Sequence, residues 1–197
     1  MEREYKWRAD AQSLGQALLW ASSRIGSQSR TIYMKSQYFD TADGFLRENG
    51  AALRLRQEND RAVCCMKRRG IATAEGMRAH EEYECDAQTI EEGLRLLPDK
   101  GAPRELCEAA LAAPLTETCR VDFRRCAILL QQDNTVCELA LDEGSLHREE
   151  RSAPLCEIEL ELIAGSEDVF HALAAELAAY LSLTPEPESK LARAMKL

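Results

Sequence analysis

The sequence predicts an α+β protein, a closed antiparallel β-barrel with a charged lumen and helices packed outside. Three observations lead to it. Segment after segment alternates charged and apolar residues at period two, the mark of a strand with two unlike faces. On several of these strands the charged face carries one sign, whereas a solvated sheet face mixes signs so that cross-strand neighbours pair. Other segments repeat apolar residues at helical spacing and need a surface to cover. If helices cover the apolar sides of the strands, the charged sides turn inward together, and closure removes the exposed edges.

The opening E-R-E-Y-K puts Glu2, Glu4 and Lys6 on one face of a strand. D-A-Q-S-L-G-Q-A-L-L-W-A-S-S-R reads as a helix capped by Asp10, with Leu14, Leu18 and Ala21 as its stripe. R-T-I-Y-M-K-S-Q-Y-F-D-T is extended and ends in an A-D-G turn. A turn at Glu48-Asn49-Gly50 leads into a hairpin, A-A-L-R-L-R-Q-E and A-V-C-C-M-K-R-R joined by E-N-D-R. Its strands set Arg54 and Arg56 opposite Leu53 and Leu55, and Lys67 and Arg69 on one face with Val63 and Cys65. R-A-H-E-E-Y-E-C-D is a further strand, with His80, Glu82, Glu84 and Asp86 on one face.

Two short helical patterns lie between residues 88 and 113, broken by Pro98 and Gly101. Three strands follow, T-C-R-V-D-F-R-R-C-A-I-L-L, V-C-E-L-A-L-D and L-C-E-I-E-L-E-L, with Gly144 read as a turn. Glu138 and Asp142 share a face of the second, and Glu157, Glu159 and Glu161 a face of the third. Ser166 begins an alanine-rich helix stopped by Pro185 and Pro187, and S-K-L-A-R-A-M-K-L is a short helical tail. No repeat or linker interrupts the pattern, so one domain over residues 1–197 is expected.

The 197 residues, 45% hydrophobic and 30% charged, are enough to bury a core. A net charge of -9 argues against nucleic acid as a partner, since that binding neutralises phosphates with excess Lys and Arg. No apolar run is long enough to cross a bilayer and no leader pattern is visible, so a cytoplasmic, membrane-free location is the expectation. The 8 cysteines contain no C-x-x-C pair and read as reduced thiols that pack as small apolar residues. His147 and His171 are expected to be structural, in a turn and a helix. Inside the predicted lumen, carboxylates suit hard divalent cations such as Mg²⁺ or Mn²⁺, and Arg and Lys suit a polyanion. A metal-bound polyphosphate uses both.

E-R-E-Y-K resembles the E-x-E-x-K signature of the CYTH superfamily, the triphosphate tunnel metalloenzymes. Family-like blocks follow it in order: Y-F-D-T-A-D-G-F-L, G-A-A-L-R-L-R, K-R-R-G, H-E-E-Y-E, L-A-L-D-E-G, C-E-I-E-L-E-L and S-K-L-A-R. The resemblance covers essentially the whole chain. It implies a tunnel of eight antiparallel strands that binds triphosphates and hydrolyses or cyclises them with divalent metal, up to two Mg²⁺ or Mn²⁺ ions per site.

Carried over by position, Glu2 and Glu4 match the first metal-ligand pair and Glu157 and Glu159 the last, and Glu82, Glu84 and Asp142 match further family acids expected to serve the metal. Lys6, Arg54, Arg56, Lys67, Arg125 and Lys190 match phosphate-gripping residues, Arg120 and Arg124 being close enough to Arg125 to leave its register open. Glu4 and Lys6 are the expected catalytic pair. His80 stands where similar relatives often have Arg; it either alters a phosphate contact at the mouth or is a tolerated rim substitution.

The blocks most resemble bacterial inorganic triphosphatases, members of which often carry an extra helical domain not found in these residues. Inorganic triphosphate is therefore the expected substrate. Thiamine triphosphate, a nucleotide, adenylyl cyclase chemistry and a non-catalytic polyphosphate-binding module are the alternatives. A monomer or homodimer is expected.

Overall fold

Glu81 decides how the barrel is joined. The computed structural model describes residues 2–24, 28–68, 70–74 and 76–197, so Arg69, expected beside Lys67, lies outside the described residues. In chain order the strands are β1 (Glu2–Arg8), β2 (Gln28–Thr41), β3 (Ala51–Glu58), β4 (Arg61–Arg68), β5 (Ile71–Ala72), β6 (Met77–His80), β7 (Glu82–Asp86), β8 (Leu115–Gln132), β9 (Thr135–Arg148), β10 (Arg151–Ala164) and β11 (Thr184–Pro185). All pairings are antiparallel, in the order β5-β6-β1-β10-β9-β8-β2-β3-β4-β7, with β11 beside β1.

The result is a strongly curled, barrel-like tunnel of eleven strands whose hydrogen-bonded path is open. This departs from the closed eight-stranded barrel expected above, because R-A-H-E-E-Y-E-C-D is split at Glu81. Its first half pairs with β1 (Glu2↔His80) and its second with β4 (Lys67↔Glu82). β6 and β7, on opposite sides of the opening, are thus separated in the chain by Glu81 alone.

The helices are α1 (Ala11–Ser22), α2 (Phe45–Glu48), α3 (Ile90–Leu96), α4 (Arg104–Leu111), α5 (Glu167–Leu181) and α6 (Lys190–Ala194). Asp10 caps α1, its Oδ1 accepting from Ser13 N at 2.8 Å. Leu14, Ala17 and Trp20 then bury against α5 and the outer face of β8–β10, on Ile128, Leu139 and Ile158. Each such large side chain removed from water contributes about 1.5–3 kcal/mol. A second outer cluster joins α2, α3 and α4 to Leu53, Cys64 and Met66. All eight cysteines are free thiols and six are buried; Cys64, Cys85 and Cys107 pack in this second cluster and Cys137 in the first.

Not every helix is outside. α6 sits within the curl, where Leu191, Ala194 and Met195 pack on Met34, Phe123, Leu146 and Leu155. These strand residues alternate in phase with Arg125, Asp142 and Glu157, so one end of the lumen is apolar and covered by α6. The Ser189 hydroxyl caps it, accepting from Ala192 N at 3.0 Å.

Gly144 makes no turn; β9 continues to Arg148, which also puts His147 in a strand. Glycine is needed there for close approach: a Cβ would lie 2.1 Å from Asp122 O and 2.5 Å from Phe123 Cα. Backbone cannot yield as a side chain does. Gly144→Ala should therefore cost about 1–3 kcal/mol, read as a lower urea midpoint; an unchanged midpoint would contradict the packing. α5 likewise stops short of the prolines, at Ser182, whose φ of 53° turns the chain.

Candidate active site

The lumen holds a cavity of about 1130 Å³. Period-two alternation on neighbouring strands brings to its wall Glu2, Glu4 and Lys6 from β1, Arg54 and Arg56 from β3, and Lys67 from β4. Glu82 and Glu84 of β7, Arg125 of β8, Glu159 of β10 and Lys190 of α6 complete it. Asp142 and Glu157 lie behind this wall and are fully buried. The arginine register is now fixed: Arg125 faces inward, and Arg120 and Arg124 are exposed on the outer face, paired with Glu117 and Glu143.

Two groups of these charges neutralise one another. In the first, Arg125 grips Asp142 through two parallel bonds of 2.8 and 2.7 Å and reaches Glu159 at 2.5 Å. Lys190 Nζ lies 2.9 Å from both Asp142 and Glu159 and also bonds Glu157, which takes Arg193 as a further partner. Burial alone would raise the Glu159 pKa, but Lys190 and Arg125 hold it well below the usual carboxylate range. Burial prevails at Glu157, pushing it to about 7 against the pull of Lys190. In the second group, Lys67 Nζ sits 3.0 Å from Glu2 and 2.7 Å from Glu82, and Arg54 bonds Glu82 at 3.1 Å. Arg56 bonds Glu84 at 3.2 Å. Against the effect of burial, Lys67 and Arg54 hold Glu82 low.

What remains is unpaired. Glu4, 8% exposed, has no hydrogen bond or ion pair from its carboxylate among the described residues. Neither has Glu161, which faces it across the β1–β10 pair and also lines the cavity. Burial and the neighbouring Glu159 raise the Glu4 pKa, and burial with Glu2 raises Glu161 to about 8. Lys6, 3% exposed, has an ammonium with no such partner either, and burial lowers its pKa despite the acids around it. On the basic side, Arg54 and Arg56 each keep a buried Nε–H without an acceptor. Buried polar groups are normally satisfied, so the carboxylates left without a cation are places where a cation fits, and the Arg and Lys groups that line the same cavity suit an anion.

Donor atoms gather closely in Glu2–His80–Glu82, Cys65–Glu82–Glu84 and Asp142–Glu157–Glu159, but Lys67, Arg54, Arg125 and Lys190 already serve these; Glu4 and Glu161 could hold a divalent ion because no protein cation among the described residues meets them. Oxygen ligands suit Mg²⁺ or Mn²⁺, and the charge would relieve the repulsion between the two carboxylates. One stability result follows. An acid whose folded pKa is raised stabilises the fold at low pH, and that contribution is lost as pH rises from the unfolded value, about 4.5, through the folded one. Metal-free protein should therefore lose stability toward pH 8, and metal should restore it. The gain in Tm on adding Mg²⁺ or Mn²⁺ should be larger by several degrees at pH 8 than at pH 5. A pH-independent gain in a fluorimetric melt would contradict the assignment.

Sequence reasoning set Glu161 on one face with Glu157 and Glu159 but did not count it among the metal ligands. It passed over Arg193, one helical turn from Lys190 on α6 and so on the same face. His80 was placed at the rim, yet its side chain is 12% exposed and lies 2.9 Å from Glu2. Cys65 is no mere packing thiol; its Sγ bonds Glu82 at 2.8 Å inside the lumen. His171 is structural as expected, its Nδ1 2.9 Å from the Tyr5 hydroxyl.

An inorganic triphosphatase of Haemophilus influenzae is 26% identical over 144 residues, 73% of this chain and 40% of that protein. The chain thus matches less than half of that relative's length. Among solved structures, a Hippeastrum protein described as a candidate adenylyl cyclase that reveals a dominant triphosphatase activity superposes with a TM-score of 0.65 at 20% identity, covering 100% of this chain and 95% of that one. The PH1819 protein of Pyrococcus horikoshii gives 0.60 at 19% identity, covering 100% and 99%. Both likenesses speak for the fold. The CYTH domain profile matches residues 1–195, and with it the curled tunnel and its ordered charged strands find one explanation: the chain belongs to the CYTH domain family.

Proposed function

We infer that the chain hydrolyses a triphosphate to diphosphate and phosphate within this cavity, with a divalent metal, and that inorganic triphosphate is its best substrate. The observation that carries this reading is the coexistence of unpaired donors and unpaired carboxylates in one cavity. Arg54 and Arg56 keep unfilled Nε–H groups while Glu4 and Glu161 stand without cations. Left apart, the two sides suit a polyanion and the metal that accompanies it.

Catalysis of phosphoryl transfer rests on positioning and charge neutralisation. Arg54, Arg56, Lys67, Arg125 and Lys190 would hold the phosphate oxygens and offset the charge that gathers on the leaving diphosphate. Glu4 and Glu161, flanked by Glu2 and Glu159, would hold Mg²⁺ or Mn²⁺, with Glu82 and Glu84 orienting the arginines and Asp142 and Glu157 anchoring Lys190. The metal, when bound, withdraws charge from phosphate oxygens and acidifies water. Lys6, discouraged by burial from carrying its proton, is suited to accept one from the water that attacks the terminal phosphorus as the bridging P–O bond breaks. Among the described residues, Tyr38 and Phe123 are the Phe, Tyr or Trp side chains on the cavity wall, and both are packed in the apolar cluster under α6. They present little ring surface for a base or thiazole, which supports the inorganic substrate.

The test is phosphate release from tripolyphosphate, ATP and thiamine triphosphate, each with Mg²⁺, Mn²⁺ or EDTA. Metal-dependent release fastest from tripolyphosphate is expected. Faster release from an organic triphosphate would overturn the substrate; tight tripolyphosphate binding without release would leave only a binding module.

A further inference from the structure

The cavity holds a second set of donors that differs in kind from the first. His80 faces Glu2 across the β1–β6 pair, and Glu82 begins the next strand. His80 Nε2 lies 2.9 Å from Glu2 Oε2 and 4.0 Å from Glu82 Oε2, and one donor atom of each residue falls within 4.8 Å of the others. A cation already occupies their midst. Lys67 Nζ is 3.0 Å from Glu2 Oε2, 2.7 Å from Glu82 Oε2 and 3.1 Å from His80 Nε2. His80 Nε2 lies between the Lys67 ammonium, which can only donate to it, and the Glu2 carboxylate, which can only accept from it; in the tautomer that takes the Lys67 hydrogen it offers the lone pair with which an imidazole ligates a metal. Beside the set, the next inward residue of β1 after Glu2 is the buried and unpartnered Glu4.

We propose that Glu2, His80 and Glu82 form a cation seat of one nitrogen and two oxygen donors that takes Mn²⁺ or another first-row transition ion in preference to Mg²⁺, the Lys67 ammonium holding the place until metal displaces it. Mg²⁺ favours oxygen ligands and gives up its waters reluctantly, whereas imidazole suits transition ions. Metal–ligand bonds of about 2.0–2.2 Å are shorter than the Lys67 contacts, so the three donors would close in as the ammonium leaves. Lys67 stays within the same cavity, where a phosphate oxygen can receive it; that last step alone rests on the triphosphatase reading.

The experiment needs no substrate and no turnover. Metal-stripped protein of residues 1–197 is titrated with Mn²⁺ and examined by pulsed electron paramagnetic resonance for the nitrogen modulation of a directly bound imidazole. The modulation should be present in the wild type and absent in His80→Asn and His80→Gln, and the Mg²⁺ excess needed to displace that Mn²⁺ should fall by about tenfold or more in both. Lys67→Met should tighten Mn²⁺ binding, since a competing cation is gone. Absence of nitrogen modulation in the wild type, or its persistence in both His80 variants, would overturn the seat. Weaker Mn²⁺ binding in Lys67→Met would overturn the exchange.

Discussion

Glu4→Gln should lower metal-dependent phosphate release by about 10²–10³-fold while leaving the protein folded and its metal-free form at least as stable. The rate loss is the size expected when one charged group that acts on the transition state is removed. Stability should not fall, because the native carboxylate is buried beside Glu161 and Glu159 without a cation of its own, and burial already disfavours its charged form. A neutral amide of the same shape removes that repulsion. Steady-state release with Mg²⁺, together with melts in EDTA, separates the two effects. Full activity in the variant, or a melt lowered by several degrees, would show that Glu4 serves the fold and not the metal.

Lys190→Met should have the largest effect on stability, about 3–5 kcal/mol, or a Tm lower by roughly 10 °C. Its ammonium touches Asp142, Glu157 and Glu159, the first two fully buried, and it sits 5.2 Å over the Phe123 ring. Methionine keeps the stem but leaves three carboxylates to two arginines. The same change should loosen α6, since Arg193 then holds Glu157 alone among the α6 cations. Adding Glu157→Gln should recover part of the loss, because one acid fewer needs a partner; a double-mutant cycle reads that coupling. If Lys190→Met melts with the wild type, the buried charges are balanced in some other way.

Legibility from sequence followed the physics of each element. β1, β3 and β10 were readable because charge and apolarity largely alternate there, as in L-R-L-R and C-E-I-E-L-E-L, and β4 because the E-N-D-R turn ties its apolar run to β3. The break at Glu81 was passed over, although Glu81 is the one charged residue on the apolar phase of that segment; a single such departure does not say that the pairing partner changes there. Gly144 was misread because glycine signals both turns and close approach, and the close approach of Asp122 O belongs to another strand. Three arginines within R-V-D-F-R-R occupy both parities, so only the pairing of Arg125 with Asp142 could choose among them. The inward position of α6 was hidden for a similar reason. A short amphipathic helix shows the same stripe whether it packs outside a barrel or inside it. The site residues came together because most sit on inward phases of strands; what sequence could not show is that Glu4, Glu161 and Lys6 would be left without partners.

The most direct test is a crystal structure with Mn²⁺ and the non-hydrolysable imido analogue of tripolyphosphate, using anomalous scattering at the manganese edge to find the metal. The account predicts an anomalous peak within bonding distance of Glu4 and Glu161, with phosphate oxygens against Arg54, Arg56 and Arg125. A phosphate chain outside the cavity, or metal bound with Glu4 and Glu161 both uncoordinated, would contradict it.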